Sequence, residues 1–144
     1  MTDKKLHDLY NAIDAMDADH VESVLHECFK SGFTSEYVPA LMQLLGKSWH
    51  FRHEDVVSTL QHLKDPRAVD ALYEEALTSY EYLNYDEFFG LARKCTWALA
   101  DIGTPEAKAK LQMLAQVNNT MIAGYARKRL DHWEEEKPRK GGGR

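Results

Sequence analysis

Apolar residues recur at spacings of three and four along almost the whole chain, and no stretch alternates strictly, so the pattern predicts helices throughout and no sheet. Leu6, Leu9, Tyr10, Ile13 and Met16 stripe a first helix. Val21, Val24, Leu25, Cys28 and Phe29 stripe a second, which Gly32 is placed to end in a left-handed cap. A third opens from Thr34 or Ser35, carries Tyr37, Val38, Leu41, Leu44 and Leu45, and stops near Gly46. Residues 49–53 read as a connector. Val56, Val57, Leu60 and Leu63 then mark a fourth helix, and Val69, Leu72, Ala76 and Leu77 a fifth. Phe88, Ala92, Cys95, Leu99 and Ile102 align on a sixth. A seventh follows Thr104-Pro105-Glu106, and an eighth runs from Asn118 or Asn119 with Ile122, Tyr125, Ala126, Leu130 and Trp133. Asp65-Pro66 and Thr104-Pro105 are the same helix-starting device. The side-chain oxygen accepts from free N–H groups, and proline at the first helical position gives up a bond that position never makes.

The device belongs to a longer echo. Leu60 falls on Leu99, Leu63 on Ile102, Pro66 on Pro105, Ala68 on Ala107 and Leu72 on Leu111, each 39 positions on. A helical phrase restated at such a period marks a stacked repeat. The eighth helix matches the sixth at a shift of 31 (Ala126 on Cys95, Leu130 on Leu99, Trp133 on Ile102), and Phe29 and Val38 match Leu60 and Val69 at the same shift. The basic step is therefore 31, and the longer one carries 39 − 31 = 8 extra residues, which fall within residues 78–87.

The phrase Ala98-Leu99-Ala100-Asp101-Ile102-Gly103-Thr104-Pro105-Glu106-Ala107 resembles the HEAT-like repeats of the phycobilisome-lyase type. Thr59-Leu60-Gln61-His62-Leu63-Lys64-Asp65-Pro66-Arg67-Ala68 resembles them too, with Lys64 in the glycine's place. The resemblance is strongest over residues 53–133. It implies an all-α fold: a short right-handed α-solenoid of about eight helices in paired hairpins, forming one domain over residues 1–136. Residues 137–144, a basic Gly-rich tail, are expected to be disordered.

Composition narrows the function. The chain has 144 residues, 23 acidic against 18 basic, and a net charge of −5, which disfavours nucleic acid as main partner and favours a basic protein surface. No apolar run approaches a membrane span and no secretory core follows Met-Thr-Asp-Lys-Lys, so the expected setting is the cytoplasm. Cys28 and Cys95 sit in apolar stripes and read as buried small hydrophobes.

Candidate chemistry is sparse. His53-Glu54 is similar to the His-Glu pairs with which HEAT-repeat hydroxylases hold two irons, but the chain cannot supply the four pairs such a centre needs. Both histidines of His50-Phe51-Arg52-His53-Glu54 are expected to be solvated or capping rather than metal ligands. No nucleophile elbow or phosphate-cradling loop is present. No catalytic residue, metal or cofactor is assigned.

What remains is the insertion. Tyr80, Glu81, Tyr82, Tyr85, Asp86 and Glu87 interleave aromatic and acidic side chains on a segment that breaks the repeat, and they are expected to form an exposed, partner-binding edge. Phe88 and Phe89 are expected to pack at the start of the sixth helix. The resemblance implies a non-catalytic protein–protein interaction module, in the manner of small bacterial HEAT-repeat immunity proteins that neutralise a basic, nuclease-type toxin. Its alternatives are a cofactor- or chromophore-handling enzyme or assembly factor, and a scaffold subunit of a larger complex.

Overall fold

The computed structural model describes residues 3–141, and among them every regular element is helical. Eight α-helices follow in order: α1 (Lys4–Asp14), α2 (Ala18–Ser31), α3 (Val38–Leu44), α4 (His53–Leu63), α5 (Val69–Ala76), α6 (Gly90–Ile102), α7 (Pro105–Leu114) and α8 (Thr120–Asp131). None of the described helices is long and apolar enough to cross a membrane.

The starts follow local chemistry. Asp65 accepts from the Arg67 N–H ahead of Pro66, Thr104 from the Ala107 N–H ahead of Pro105, and Asn119 from the N–H groups of Met121 and Ile122. The Asp65-Pro66 copy begins with a short 3₁₀ turn, Pro66–Ala68, before α5. The stops match as well. Gly103 ends α6 at φ 75° and Lys64 ends α4 at φ 55°, so the lysine adopts the left-handed conformation that its partner copy gives to glycine.

Packing radiates from α6, which is buried nearly all round through Leu91, Cys95, Ala98, Leu99 and Ile102. It packs on α4, α5, α7 and α8, while α5 also meets α7 and α7 meets α8. At the other end α1 packs on α2 and α3, and α3 on α4. The Tyr37 hydroxyl donates to Asp3, which also caps α1. Between α2 and α4 lies a groove of about 690 Å³, bridged by Arg52, which pairs with Glu22 of α2 and Asp55 of α4. Phe29, placed on the buried stripe by its spacing, is instead exposed on this groove, edge-on to Phe33.

Residues 137–141 are not loose, which corrects the expectation of a disordered tail over 137–144; residues 142–144 lie outside the described residues. Lys140 is buried, its ammonium donating to the Ala100 carbonyl at 2.8 Å and lying 3.9 Å from the centre of the Trp133 ring. Arg139 forks onto Asp101 at 3.0 and 2.9 Å, with Gln61 donating to the same carboxylate. The Gly141 N–H donates to the Asp101 carbonyl. The strap interlocks with both left-handed caps. A side chain at Gly103 would strike Lys140, and one at Gly141 would come 2.8 Å from Lys64 Cβ. Lysine thus meets glycine at both caps, with the roles exchanged. Composition marks such a tail as polar and flexible, whereas here its cations meet the last turn of α6 and the Lys64 side chain, past the end of α4, donates to its Arg139 carbonyl.

Candidate functional site

The insertion follows α5 and precedes α6. Its chain runs extended through Tyr80, makes a 3₁₀ turn over Glu81–Leu83, and turns again before α6. Asp86 builds that second turn: one carboxylate oxygen accepts from the Phe88 N–H at 2.9 Å and the other from the Gly90 N–H at 2.8 Å. A Cβ at Gly90 would lie 2.5 Å from that carboxylate, so a larger residue there would push Asp86 out of the turn. Phe89 sits at φ 53°, a left-handed conformation rare for a bulky residue, and the Tyr125 hydroxyl donates to the Phe88 carbonyl. The strained turn holds its aromatic rings outward. Phe88 is 67% exposed and Phe89 41%, which corrects the expectation that they pack the start of the sixth helix. Strain of this sort persists where the surroundings over-determine it, often at ligand clamps.

Beneath this turn opens a pocket of about 560 Å³, a usual size for a ligand site. Ala76, Leu91, Ala92 and Ile122 supply buried apolar walls, and Leu77 and Phe89 line it while remaining exposed. Leu77, expected in the core of the fifth helix, turns into this opening at the helix's end. The charged lining residues are Glu54, Asp86 and Glu87, all acidic. Helices α4, α6 and α8 bring their N-terminal ends to the pocket, so carboxylates there are favoured by the helix dipoles as well.

The six residues expected at the edge divide. Tyr85 is 80% exposed, and Glu81 and Glu87 are exposed. Asp86 is committed to the cap of α6. Tyr80 corrects the expectation outright: it is 5% exposed, its hydroxyl donating to the buried Glu75 carboxylate at 2.8 Å and accepting from the Gly46 N–H at 2.8 Å. Glu75 had to be paired to be buried, and Tyr80 and Gly46 are its hydrogen-bond partners. Tyr82 is half-buried and donates to His53 Nδ1 at 2.6 Å.

His53 is likewise not solvated. It has no exposed surface, stacks on Tyr80 at 3.6 Å between ring centres and on His50 at 4.0 Å, and donates from Nε2 to the Lys47 carbonyl. His50 accepts from the Arg52 N–H at Nδ1 and donates from Nε2 to the Leu44 carbonyl. Both rings are thus neutral with every nitrogen engaged, which leaves no lone pair for a metal. Burial and the neighbouring His50 hold His53 down to about 4, and burial lowers His50 as well. Burial also raises the Glu75 carboxyl and the Tyr80 phenol.

The residues missed by sequence reasoning are Leu77 and Phe88, whose helical spacing mimics a core stripe, Phe89 beside them, and Glu75, which the spacing of its neighbours leaves unmarked. The comparisons with known proteins found no matching family model, curated protein or solved structure.

Proposed function

We propose that this chain is a non-catalytic protein-binding module of HEAT-like helical hairpins, and that the pocket under the insertion grips a basic partner. The observation that carries this reading is the combination at one edge of outward-held Tyr85, Phe88 and Phe89 with an apolar opening whose charged lining is wholly acidic. Exposed aromatic side chains that do not staple the fold supply contact area at low entropic cost, and the exposed carboxylates of Glu81 and Glu87, in no ion pair among the described residues, steer a cationic surface. The succession of contacts from α4 to α6 to α8, and from α5 to α7, supports the stacked-hairpin arrangement. Among binding roles, that of an immunity protein covering a basic toxin suits the net charge of −5. Co-expression with the product of the adjacent reading frame tests it. Growth rescue that is lost in Tyr85→Ala/Phe88→Ala is the expected result; rescue undiminished by that variant removes the outward aromatic edge from the reading, and absence of toxicity or rescue removes the immunity role.

A further inference from the structure

The charges around the pocket under the insertion are of one sign. Glu54, Asp86 and Glu87 line it, and no lysine, arginine or histidine among the described residues does. The three acids differ in what they already hold. Asp86 gives both oxygens to the Phe88 and Gly90 N–H groups, and Glu87 lies in water. Glu54 is half-buried in the first turn of α4 and enters none of the ion pairs among the described residues. Asp55, one position on, supplies the contrast: it lines the α2/α4 groove and pairs there with Arg52. Of the two consecutive acids that open α4, one meets an arginine of the chain and the other lines an opening to which the chain brings none.

The N-terminal ends of α4, α6 and α8 reach the same opening. Each carries about half a positive charge, so the three bring about 1.5 against three full negative charges. The balance is negative, and it favours a cation. The buried walls, Ala76, Leu91, Ala92 and Ile122, are apolar. A ligand that suits both has an apolar stem and a cationic head, the build of a lysine or arginine side chain. The fold shows at the strap how it holds such a head. There Arg139 forks onto the Asp101 carboxylate with its guanidinium 4.6 Å from the centre of the Trp97 ring. Carboxylate and aromatic ring recur among the residues lining the pocket, as Glu54 and Phe89. A guanidinium is more weakly hydrated than an ammonium, pairs with a carboxylate through two bonds and stacks on rings. It therefore loses less on leaving water for a half-buried acid.

We propose that the pocket is an arginine-binding site: it takes one arginine side chain of the basic partner, with the methylene stem against Leu91 and Ile122 and the guanidinium on Glu54 at the Phe89 ring. The proposal rests on the reading that this pocket meets a basic partner, and it adds which side chain enters and which residue selects it. Tyr85 and Phe88, which do not line the pocket, supply contact area around the anchor.

Titration of the full chain with n-butylguanidinium, followed by ¹H–¹⁵N NMR, tests the site without the partner. n-Butylurea is the neutral isostere of that probe, and n-butylammonium carries the charge without the planar fork. n-Butylguanidinium should bind in the millimolar range and shift the amides of Leu91, Ala92 and Ile122. n-Butylurea should bind at least about tenfold more weakly, the worth of a charged hydrogen bond, and n-butylammonium at least about threefold more weakly. In Glu54→Gln, which keeps the side-chain shape and removes the charge, n-butylguanidinium should bind no better than n-butylurea binds the wild type. Guanidinium and urea probes that bind alike, an ammonium that binds as well as the guanidinium, shifts outside the pocket, or undiminished guanidinium binding in Glu54→Gln overturns the proposal. Should that variant fail to fold, the three probes on the wild type decide alone. The aromatic edge is judged separately, by growth rescue in Tyr85→Ala/Phe88→Ala. Rescue lost there without a guanidinium site leaves the edge and removes the arginine; a guanidinium site with rescue undiminished leaves the arginine and removes the edge.

Discussion

The insertion and the C-terminal strap both lie outside the repeat, and they use their side chains in opposite ways. The strap, Lys137-Pro138-Arg139-Lys140-Gly141, turns two of its cations onto the body: Lys140 and Arg139 end on the Ala100 carbonyl and the Asp101 carboxylate, while Lys137 and Pro138 stay exposed. The insertion turns two tyrosines inward to satisfy Glu75 and His53, then holds Tyr85, Phe88 and Phe89 out. A segment that closes its polar accounts and buries its body is a staple. One that closes them and still presents aromatic surface is the segment we propose meets a partner. Aromatic content alone does not separate these roles, since Tyr80 and Tyr85 stand five residues apart on one loop and serve different ones.

The sharpest way to break that contrast is to truncate one tyrosine of each kind. Tyr80→Ala removes a buried ring and leaves Glu75 without its hydroxyl, so it should cost about 3–5 kcal/mol in urea unfolding, as large aromatic truncations do. Tyr85→Ala should stay within about 0.5 kcal/mol. Equal losses would mean that the two rings share an environment.

Next comes the strap. Deleting residues 137–144 strips Asp101, itself buried, of its guanidinium and uncovers Gly103. The expected cost is about 2–3 kcal/mol, the range for a charged hydrogen bond lost from a buried partner. A shortened chain as stable as the full one would restore the picture of an idle tail.

Acidity gives a slightly smaller effect. Unfolded, His53 titrates near the ordinary 6.5; folded, near 4. Between those values the unfolded chain binds the extra proton, so stability is full above pH 6.5 and falls as pH drops toward 4, by about 2 kcal/mol between pH 7 and 5. Glu75, whose carboxyl is raised, opposes this, since its folded form takes up the proton first and gains from acid. In His53→Gln the slope from pH 7 to 5 should therefore flatten, and His50, which burial also lowers, supplies what remains. Chemical denaturation at a series of pH values reads both slopes, and an unchanged slope in the variant would remove His53 as their source.

Much of the fold was legible because helix starts and stops are local. Asp65-Pro66, Thr104-Pro105, Asn119 and Gly103 act within a turn of themselves, and the 39-residue echo even located the left-handed cap that Lys64 fills. Burial of a polar side chain is not local. That Tyr80 faces inward depends on Glu75 and on Gly46, 34 positions earlier, and nothing in the spacing of one reveals the others. His53 looks solvated or capping in the sequence for the same reason: its acceptor is Lys47's carbonyl and its stacking partner Tyr80 lies 27 positions further on (80 − 53 = 27). Phe88 misled in the other sense. It continues the helical period of Ala92, Cys95 and Leu99, but Asp86 and the left-handed Phe89 break the helix between them. The strap was unreadable because glycine and lysine signal flexibility unless a facing glycine and lysine receive them.

The central claim is that the outward aromatics exist for a partner rather than for the fold. Isothermal titration of the adjacent reading frame's protein product into wild type and into Tyr85→Ala/Phe88→Ala tests it most directly. The account predicts a variant as stable as wild type that binds at least about 2 kcal/mol more weakly, the mark of an interface hot spot. A variant that binds with wild-type affinity would contradict it.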